Sequence, residues 1–419
     1  MEFESITLSE AILTANTGAD AIKRAPIVDY VTEFRCLRIG DISNDRPFNE
    51  WGYTTAEMSV REKFLLKKND ILIARTGNTI GVSKIIEKDM DAVFNNGLIR
   101  LRIKESFDPY FIYYLVSSKM FKEFIYQISG GTSTQPNVKI NHVLSFPIPN
   151  MHLKVQRKIS RTLKLLDDKF KQNNKMIYSL EQLAQTLFKR WFVDFEFPNE
   201  NGDPYKSSGG EMVESELGMI PTGWEIGKLT DIAELIMGQS PKSSTYNIEG
   251  VGLGLINGAS DFKEGIITPL KYTTDPKRIA KQGDFIFGVR ATVGNVTHVD
   301  KEYAIGRGAG ATRVLNKNYK EFLYFHLING INFLESTASG SVYINLTKKD
   351  LEDIKLVLPP EEVIKHFHAR FSSLLNMKFD KYEENNSLTS LRDTILPKLL
   401  SGEIELSDEA EVKENVPIS

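Results

Sequence analysis

The sequence predicts two α/β globular units, each followed by a long helix, with the two long helices paired to one another. Three features of the 419 residues carry this expectation. They are a helical stripe of unusual length in the middle of the chain, a second stripe near the C-terminus, and an internal repeat that sets matching segments ahead of each stripe.

The middle stripe lies within residues 156 to 195. Ile159, Leu163, Leu166, Phe170, Asn173, Ile177, Leu180, Ala184, Leu187 and Trp191 follow one another in alternating steps of four and three. That is the seam of a coiled-coil helix with one long partner. Asn173 within the seam reads as a polar layer that sets register at some cost in stability. The partner stripe is Phe367, Phe371, Leu374, Leu388, Leu391, Ile395 and Leu399, between Pro359-Pro360 and Gly402. It lacks apolar residues near Lys378, Lys381 and Asn385, where either the pairing loosens or a further protein makes contact. Pro397 is expected to break the last turns. At ~1.5 Å per residue, each helix of about 40 residues spans roughly 60 Å.

The repeat is wider than the helices. NDILIARTGNTIG (69–81) matches GDFIFGVRATVG (283–294), and FIYYL (111–115) matches FLYFHL (322–327). SGGTS (129–133) matches ASGSV (338–342), and FPIP (146–149) matches VLPP (357–360). One unit is written twice. The domain reading is therefore 1–150 for the first globular unit, 151–195 for the first long helix and 196–219 for a flexible linker rich in Gly, Ser, Asn and Asp. The second unit takes 220–358, the second long helix 359–402 and an acidic tail 403–419. Aliphatic, β-branched runs at 70–74, 98–103, 252–257 and 284–289 read as strands, and 110–128 and 320–336 as packing helices.

Composition bounds the function. The net charge of −3 hides a segregation: residues 194–218 hold seven acids against Lys206, and 401–419 hold six against Lys413, so the remainder carries +8. A balance of that sign permits contact with DNA. A single cysteine, Cys36 in a strand-like run, excludes a disulfide framework and reads as core. No apolar run approaches the ~20 residues of a membrane span, so a cytoplasmic protein without membrane contact is expected. Phosphate-cradling loops, metal-spaced Cys and His, and an N-P-P-[FY] methyltransferase motif are missing from the sequence, so no catalytic or metal-binding residue is expected. His366 and His368 fall on different sides of a helix, and the glycine runs GVGLG (250–254) and GRGAG (306–310) read as turns and close packing.

The polar loops are the candidate DNA-binding surface, because their donors suit base edges and phosphates. In the first unit these are Arg75, Thr76, Asn78 and Thr79, with Thr132, Ser133, Thr134 and Gln135. In the second they are Gln239, Ser240, Lys242, Ser243, Ser244 and Tyr246, with Arg290 and Thr292. Arg75 and Arg290 recur between the halves.

Three stretches carry a family resemblance: DDKFKQNNKMIYSLEQLAQTLFKRWFVDF (167–195), IPTGWEIGKLTDIAELIMGQSP (220–241) and LRDTILPKLLSGEIEL (391–406). With them the chain resembles, over nearly its whole length, the specificity subunit of type I restriction-modification systems. The resemblance implies a non-catalytic subunit with two target-recognition domains, each reading half of a bipartite, asymmetric site in double-stranded DNA. It implies an antiparallel helix pair that sets the spacer and docks two modification (methyltransferase) subunits, with restriction subunits joining that assembly. S-adenosylmethionine, ATP and magnesium are then expected on the partner subunits and no cofactor on this chain. The alternative from another class is a coiled-coil adaptor that binds only protein.

Overall fold

The middle stripe folds into one uninterrupted helix, Leu153–Phe192, and the second stripe into another, Glu361–Ser401. In this computed structural model the residues described are 3–20, 22–128, 137–263, 265–290, 296–337 and 346–406; the side chains of Asn78, Lys263 and Glu335 also lie outside the description. The chain divides into Met1–Lys169 with Leu388–Ser419, and Phe170–Ser387, so each long helix contributes a part to both units.

Within the first unit, Ile159 and Leu163 share a core with Leu396, Leu399 and Leu400. Within the second, the Trp191 ring lies 5.3 Å from Phe367 and 5.5 Å from Phe371, and Asn173 Nδ2 donates to Asn385 Oδ1 at 3.0 Å. Partner numbers fall along one helix as they rise along the other, so the helices run antiparallel. Asn173, Ile177, Leu180, Ala184 and Trp191 are buried, while Leu166, Phe170 and Leu187 are half-buried, and Phe188 beside Leu187 takes the buried place.

The second helix departs from expectation in three ways. Leu391 is 48% exposed and is not part of the seam. Phe371, Leu374, Leu388 and Ile395 are half-buried, and stepping by four from Leu388 and three to Ile395 puts Arg392 on the seam instead. The stretch around Lys378 and Asn385 is not loose: both side chains are buried in seam places and hydrogen-bonded. Pro397 does not break the helix, which continues to Ser401. Proline forfeits one backbone bond, but Leu396, Leu399 and Leu400 around it are buried in the first unit's core, and Gly402 at φ 73° then terminates the helix.

Each unit builds the same sheets. In the first, Ile12–Thr17, Leu98–Ile103, Ile71–Ala74 and Ser83–Ile85 form one antiparallel sheet in that order. Ile27–Val28, Gly52–Thr54, Phe34–Leu37 and Ala92–Phe94 form another, whose last pair is parallel. Ser5–Thr7 pairs with Pro147–Pro149 and closes the unit. The second unit repeats this with Ala233–Met237, Ala309–Val314, Phe285–Gly288 and Val296–His298, then with Tyr246–Asn247, Lys271–Thr273, Leu253–Ile256 and Tyr303–Ile305, to which Ile279–Ala280 is added. Glu225–Lys228 pairs with Lys355–Leu358. Every residue of Ile71–Ala74 and Phe285–Gly288 is buried, which explains why these strands are continuous apolar runs rather than alternating ones.

The chain crosses from one sheet to the other through a glycine in both units. A Cβ on Gly18 would stand 2.2 Å from the Phe94 carbonyl oxygen, and one on Gly238 2.0 Å from that of Gly306, so no other residue fits. The packing helix of the second unit is single, Lys320–Thr337. The one expected over 110–128 is two, Pro109–Ser117 and Lys119–Ile128, because Ser118 leaves helical geometry and its Oγ accepts from Phe121 N at 3.2 Å, capping the second.

The stretch 196–219 is ordered rather than a flexible linker. Phe197 is buried and stacks on Tyr205 at 4.7 Å, and Met212–Ser215 forms a hairpin with Gly218–Pro221. Gly202, Gly209 and Gly218 all have positive φ, so the composition that suggested flexibility encodes turns. Of the acidic tail, 407–419 lie outside the described residues. Cys36 is fully buried, and burial pushes its thiol up to about 12, consistent with core packing.

Candidate nucleic-acid interface

The central strand of each unit is clamped at one end by a carboxylate and opens into polar loops at the other. In the first unit Asp70 accepts from Lys67 N at 3.0 Å and from Arg102 Nε at 2.7 Å, and Arg100 Nη1 adds a 3.5 Å contact. In the second, Asp284 accepts from Lys281 N at 2.8 Å and takes a two-pronged contact from Arg313, Nε at 3.0 Å and Nη2 at 2.8 Å. That pairing with Asp284 raises the Arg313 pKa. Such charge-assisted bonds fix the strand, and with it the start of the loop that follows.

At the loop end of the first unit, Arg75 N donates to the Gly97 carbonyl at 3.0 Å, and Val138 N donates to the Arg75 carbonyl at 2.8 Å. The Arg75 guanidinium donates to Asn137 Oδ1 from Nε at 3.2 Å and Nη2 at 2.9 Å, and Thr76 bridges to Asn137. The loop holding Arg75, Thr76 and Thr79 is thus joined to the residues that end the glycine-rich loop. Thr132, Ser133, Thr134 and Gln135, like the Asn78 side chain, lie outside the described residues.

The second unit makes the same backbone bonds with different residues. Val289 N donates to the Gly308 carbonyl at 3.1 Å, and Leu346 N donates to the Val289 carbonyl at 2.9 Å. The structural counterpart of Arg75 is therefore buried Val289, and exposed Arg290 stands where Thr76 does. The expected recurrence of Arg75 and Arg290 fails by one residue, which in an extended strand turns a side chain to the opposite face. Thr292 lies outside the described residues.

Gln239 N donates to the Ile305 carbonyl at 2.9 Å, and Ser240 Oγ accepts from Arg307 N at 3.4 Å. Lys242, Ser243 and Ser244 form an exposed turn, and Tyr246 Oη donates to the Pro241 carbonyl at 3.2 Å. The GRGAG run does pack closely: a Cβ on Gly308 would stand 1.9 Å from the Asn257 carbonyl oxygen. Its backbone lies between the Gln239–Ser240 segment and the Val289–Arg290 segment, and its Arg307 side chain is exposed.

Asn96 holds the corresponding place in the first unit, since Asn96 N donates to the Ala19 carbonyl at 2.8 Å beside Gly97, and its side chain is exposed too. Sequence reasoning passed over both residues. The sequence signal at these places is a pair of turn runs, NNG (95–97) and GRGAG (306–310), in which a polar side chain stands beside turn glycines. An amide and a guanidinium are chemically suited to different acceptor and donor patterns on base edges.

The described residues of these surfaces offer donors and positive charge. Among the described residues no group of three His, Cys, Asp or Glu side chains could hold a metal ion. His368 Nδ1 lies 2.6 Å from Glu321 Oε2 while His366 is exposed, so the two histidines face different surroundings.

Comparison with known proteins matches the duplicated architecture. A family model for the type I restriction modification DNA specificity domain matches residues 32–182 and again 221–389. A Methanocaldococcus jannaschii protein assigned as the specificity subunit of the type I restriction enzyme MjaX is 28% identical over 351 residues, covering 82% of this chain and 80% of that one. The HindI type I restriction enzyme specificity subunit of Haemophilus influenzae is 26% identical over 434 residues, covering 88% and 94%. The crystal structure of a type I restriction-modification system S subunit from M. genitalium has the same fold, with a TM-score of 0.56, 17% identity and 97% of both chains covered. The doubled family match falls on the two units that the backbone repeats, and the chain belongs to the type I restriction modification DNA specificity family.

Proposed function

We propose that this chain is the DNA sequence-specificity subunit of a type I restriction-modification complex, in which each unit reads one half of a bipartite, asymmetric target. The observation that carries the reading is the pair of equivalent loop surfaces on one repeated scaffold, bearing unlike side chains: Asn96 against Arg307, and Arg75 against Val289. A repeat within one chain supplies the pseudo-two-fold arrangement that a DNA-binding dimer obtains from two chains. Unlike side chains at equivalent places make the two half-sites differ in sequence.

The antiparallel helices set the number of unread base pairs between the half-sites and dock two modification subunits, and restriction subunits join that complex. S-adenosylmethionine, ATP and magnesium belong to those partners, and methyl transfer and cleavage are their chemistry. The complex works in the cytoplasm on double-stranded DNA; no described helix is long and apolar enough to cross a membrane. The adaptor reading is less well supported, because long helices that bind only protein need no paired polar-loop domains.

The test is single-molecule methylation mapping of DNA from cells holding the cognate modification subunit, with and without this chain. A split motif with unlike halves and one fixed gap, present only with the chain, is the expected result. Active modification subunit with methylation unaltered by the chain would leave the adaptor as the better account.

A further inference from the structure

In each unit one tyrosine of a packing helix is tied to both long helices through one acid and one base. In the second unit Lys378 Nζ donates to the Glu181 carboxylate and, at 2.6 Å, to Tyr324 Oη, while Tyr324 Oη donates to Glu181 Oε2 at 3.4 Å. Lys378 is 6% exposed and Tyr324 is buried. In the first unit Tyr114 Oη donates to Asp167 Oδ2 at 2.9 Å, and Arg392 Nη1 donates to Asp167 Oδ1 at 3.3 Å. That set is open: the Arg392 side chain is 37% exposed, and all three residues line a cavity of about 670 Å³. The signs are exchanged between units. The helix that follows the domain supplies the acid in the first unit and the base in the second.

Stability does not explain the buried set. Desolvating a lysine and a glutamate costs about what their attraction returns, and apolar residues of similar volume serve as well or better. A hydrogen-bonded charge pair supplies direction instead. Its three members meet in one setting, whereas an apolar contact tolerates sliding. A second contact lies close by on the same helix: Gly265, at φ 79°, approaches the Tyr382 ring so nearly that a Cβ would stand 2.6 Å from it. The ammonium of Lys378 also lies 4.9 Å from the Tyr324 ring centroid.

We infer that Lys378, Glu181 and Tyr324 are positioning residues that hold the second unit's recognition domain in one orientation on the helix pair, and thereby restrict the gap at which its half-site is accepted. This deepens the functional reading above and rests on it. The open set of the first unit restrains its domain less.

The experiment is methylation mapping with the full chain and its modification subunit, alongside thermal unfolding. The triple variant Glu181→Leu, Lys378→Met, Tyr324→Phe replaces every polar member by an apolar one of similar size. The expected result is an unfolding midpoint unchanged or raised, the same two half-site sequences, and methylation at gaps one base pair longer and shorter rising at least tenfold. Tyr324→Phe alone is expected to widen the gap less. A split motif with a single gap in both variants overturns the inference alone. Loss of folded triple variant together with an unaltered gap in Tyr324→Phe also overturns it, since the set would then be merely structural. A wild-type map without a split motif removes the functional reading, and the inference with it.

Discussion

The two units share a scaffold but bury charge in opposite places. The first keeps its buried ionic network in the sheet, where Asp70 meets Arg102 and Arg100, the latter 4% exposed. In the second, buried Ala311 stands where the first has Arg100, and Asp284 meets one arginine, Arg313, whose side chain is 30% exposed. Along the long helices the order reverses: the base Lys378 is enclosed in the second unit, while the base Arg392 opens to solvent in the first, the acids Glu181 and Asp167 being half-buried in both. The repeat therefore specifies where polar groups sit, and local packing decides how much each one matters.

Unpairing charges is the strongest way to break this comparison. Glu181→Leu alone leaves the Lys378 ammonium enclosed without its carboxylate, and should cost about 3–5 kcal/mol in denaturant unfolding. Asp167→Leu should cost about 1 kcal/mol, because Arg392 reaches water. Equal losses would show that the two sets are buried alike in solution. In the sheets the ranking inverts. Asp70→Ala should cost about 3 kcal/mol with Arg100 left enclosed, and Asp284→Ala about 1–2 kcal/mol, since Arg313 also reaches Glu234 at 3.4 Å.

Specificity sharpens the comparison at the loops. Arg307→Ala should relax one base position in one half-site, and Asn96→Ala one position in the other, each by about 1–3 kcal/mol of discrimination, read as motif degeneracy in methylation maps. Both substitutions blurring the same half-site would deny that the units read separately.

The smallest effect near neutrality concerns acid. Burial lowers His326 to about 3 and His298 to about 4, and both lie in the second unit. A histidine held neutral in the folded state contributes stability above its unfolded pKa of about 6.5 that is lost as pH falls toward the folded value. The second unit should therefore weaken between pH 6.5 and about 4. Burial raises the Glu321 carboxyl, whose linkage runs the opposite way. Comparing unfolding with His326→Phe, a replacement suited to the Phe188 and Phe322 rings beside it, isolates the imidazole: a pH slope unaltered by the substitution would exclude it as the cause.

Much of the fold was legible because periodicity is a property of one chain segment at a time. The four-three spacing through Ile159, Leu163, Ile177 and Trp191, the apolar runs at 70–74 and 284–289, and the matched segments ahead of each helix needed no knowledge of partners. The loops were legible as polar surface, but not the residue each one presents. Arg75 aligned with Arg290 by letter, while the backbone bonds align it with Val289. A one-residue offset is invisible to composition and decisive in a strand.

The sequence by itself determined two α/β units and two long helices, because hydrophobic spacing is written locally and repeated, while three particular stretches, 167–195, 220–241 and 391–406, carried the family resemblance. Only the tertiary structure decided that Lys378 and Asn385 complete the seam rather than interrupt it, that Pro397 lies within a helix, and that 196–219 is ordered. The reason is that a polar residue's place depends on a second residue far along the chain. Lys378 is a gap in a pattern until Glu181 and Tyr324 stand beside it.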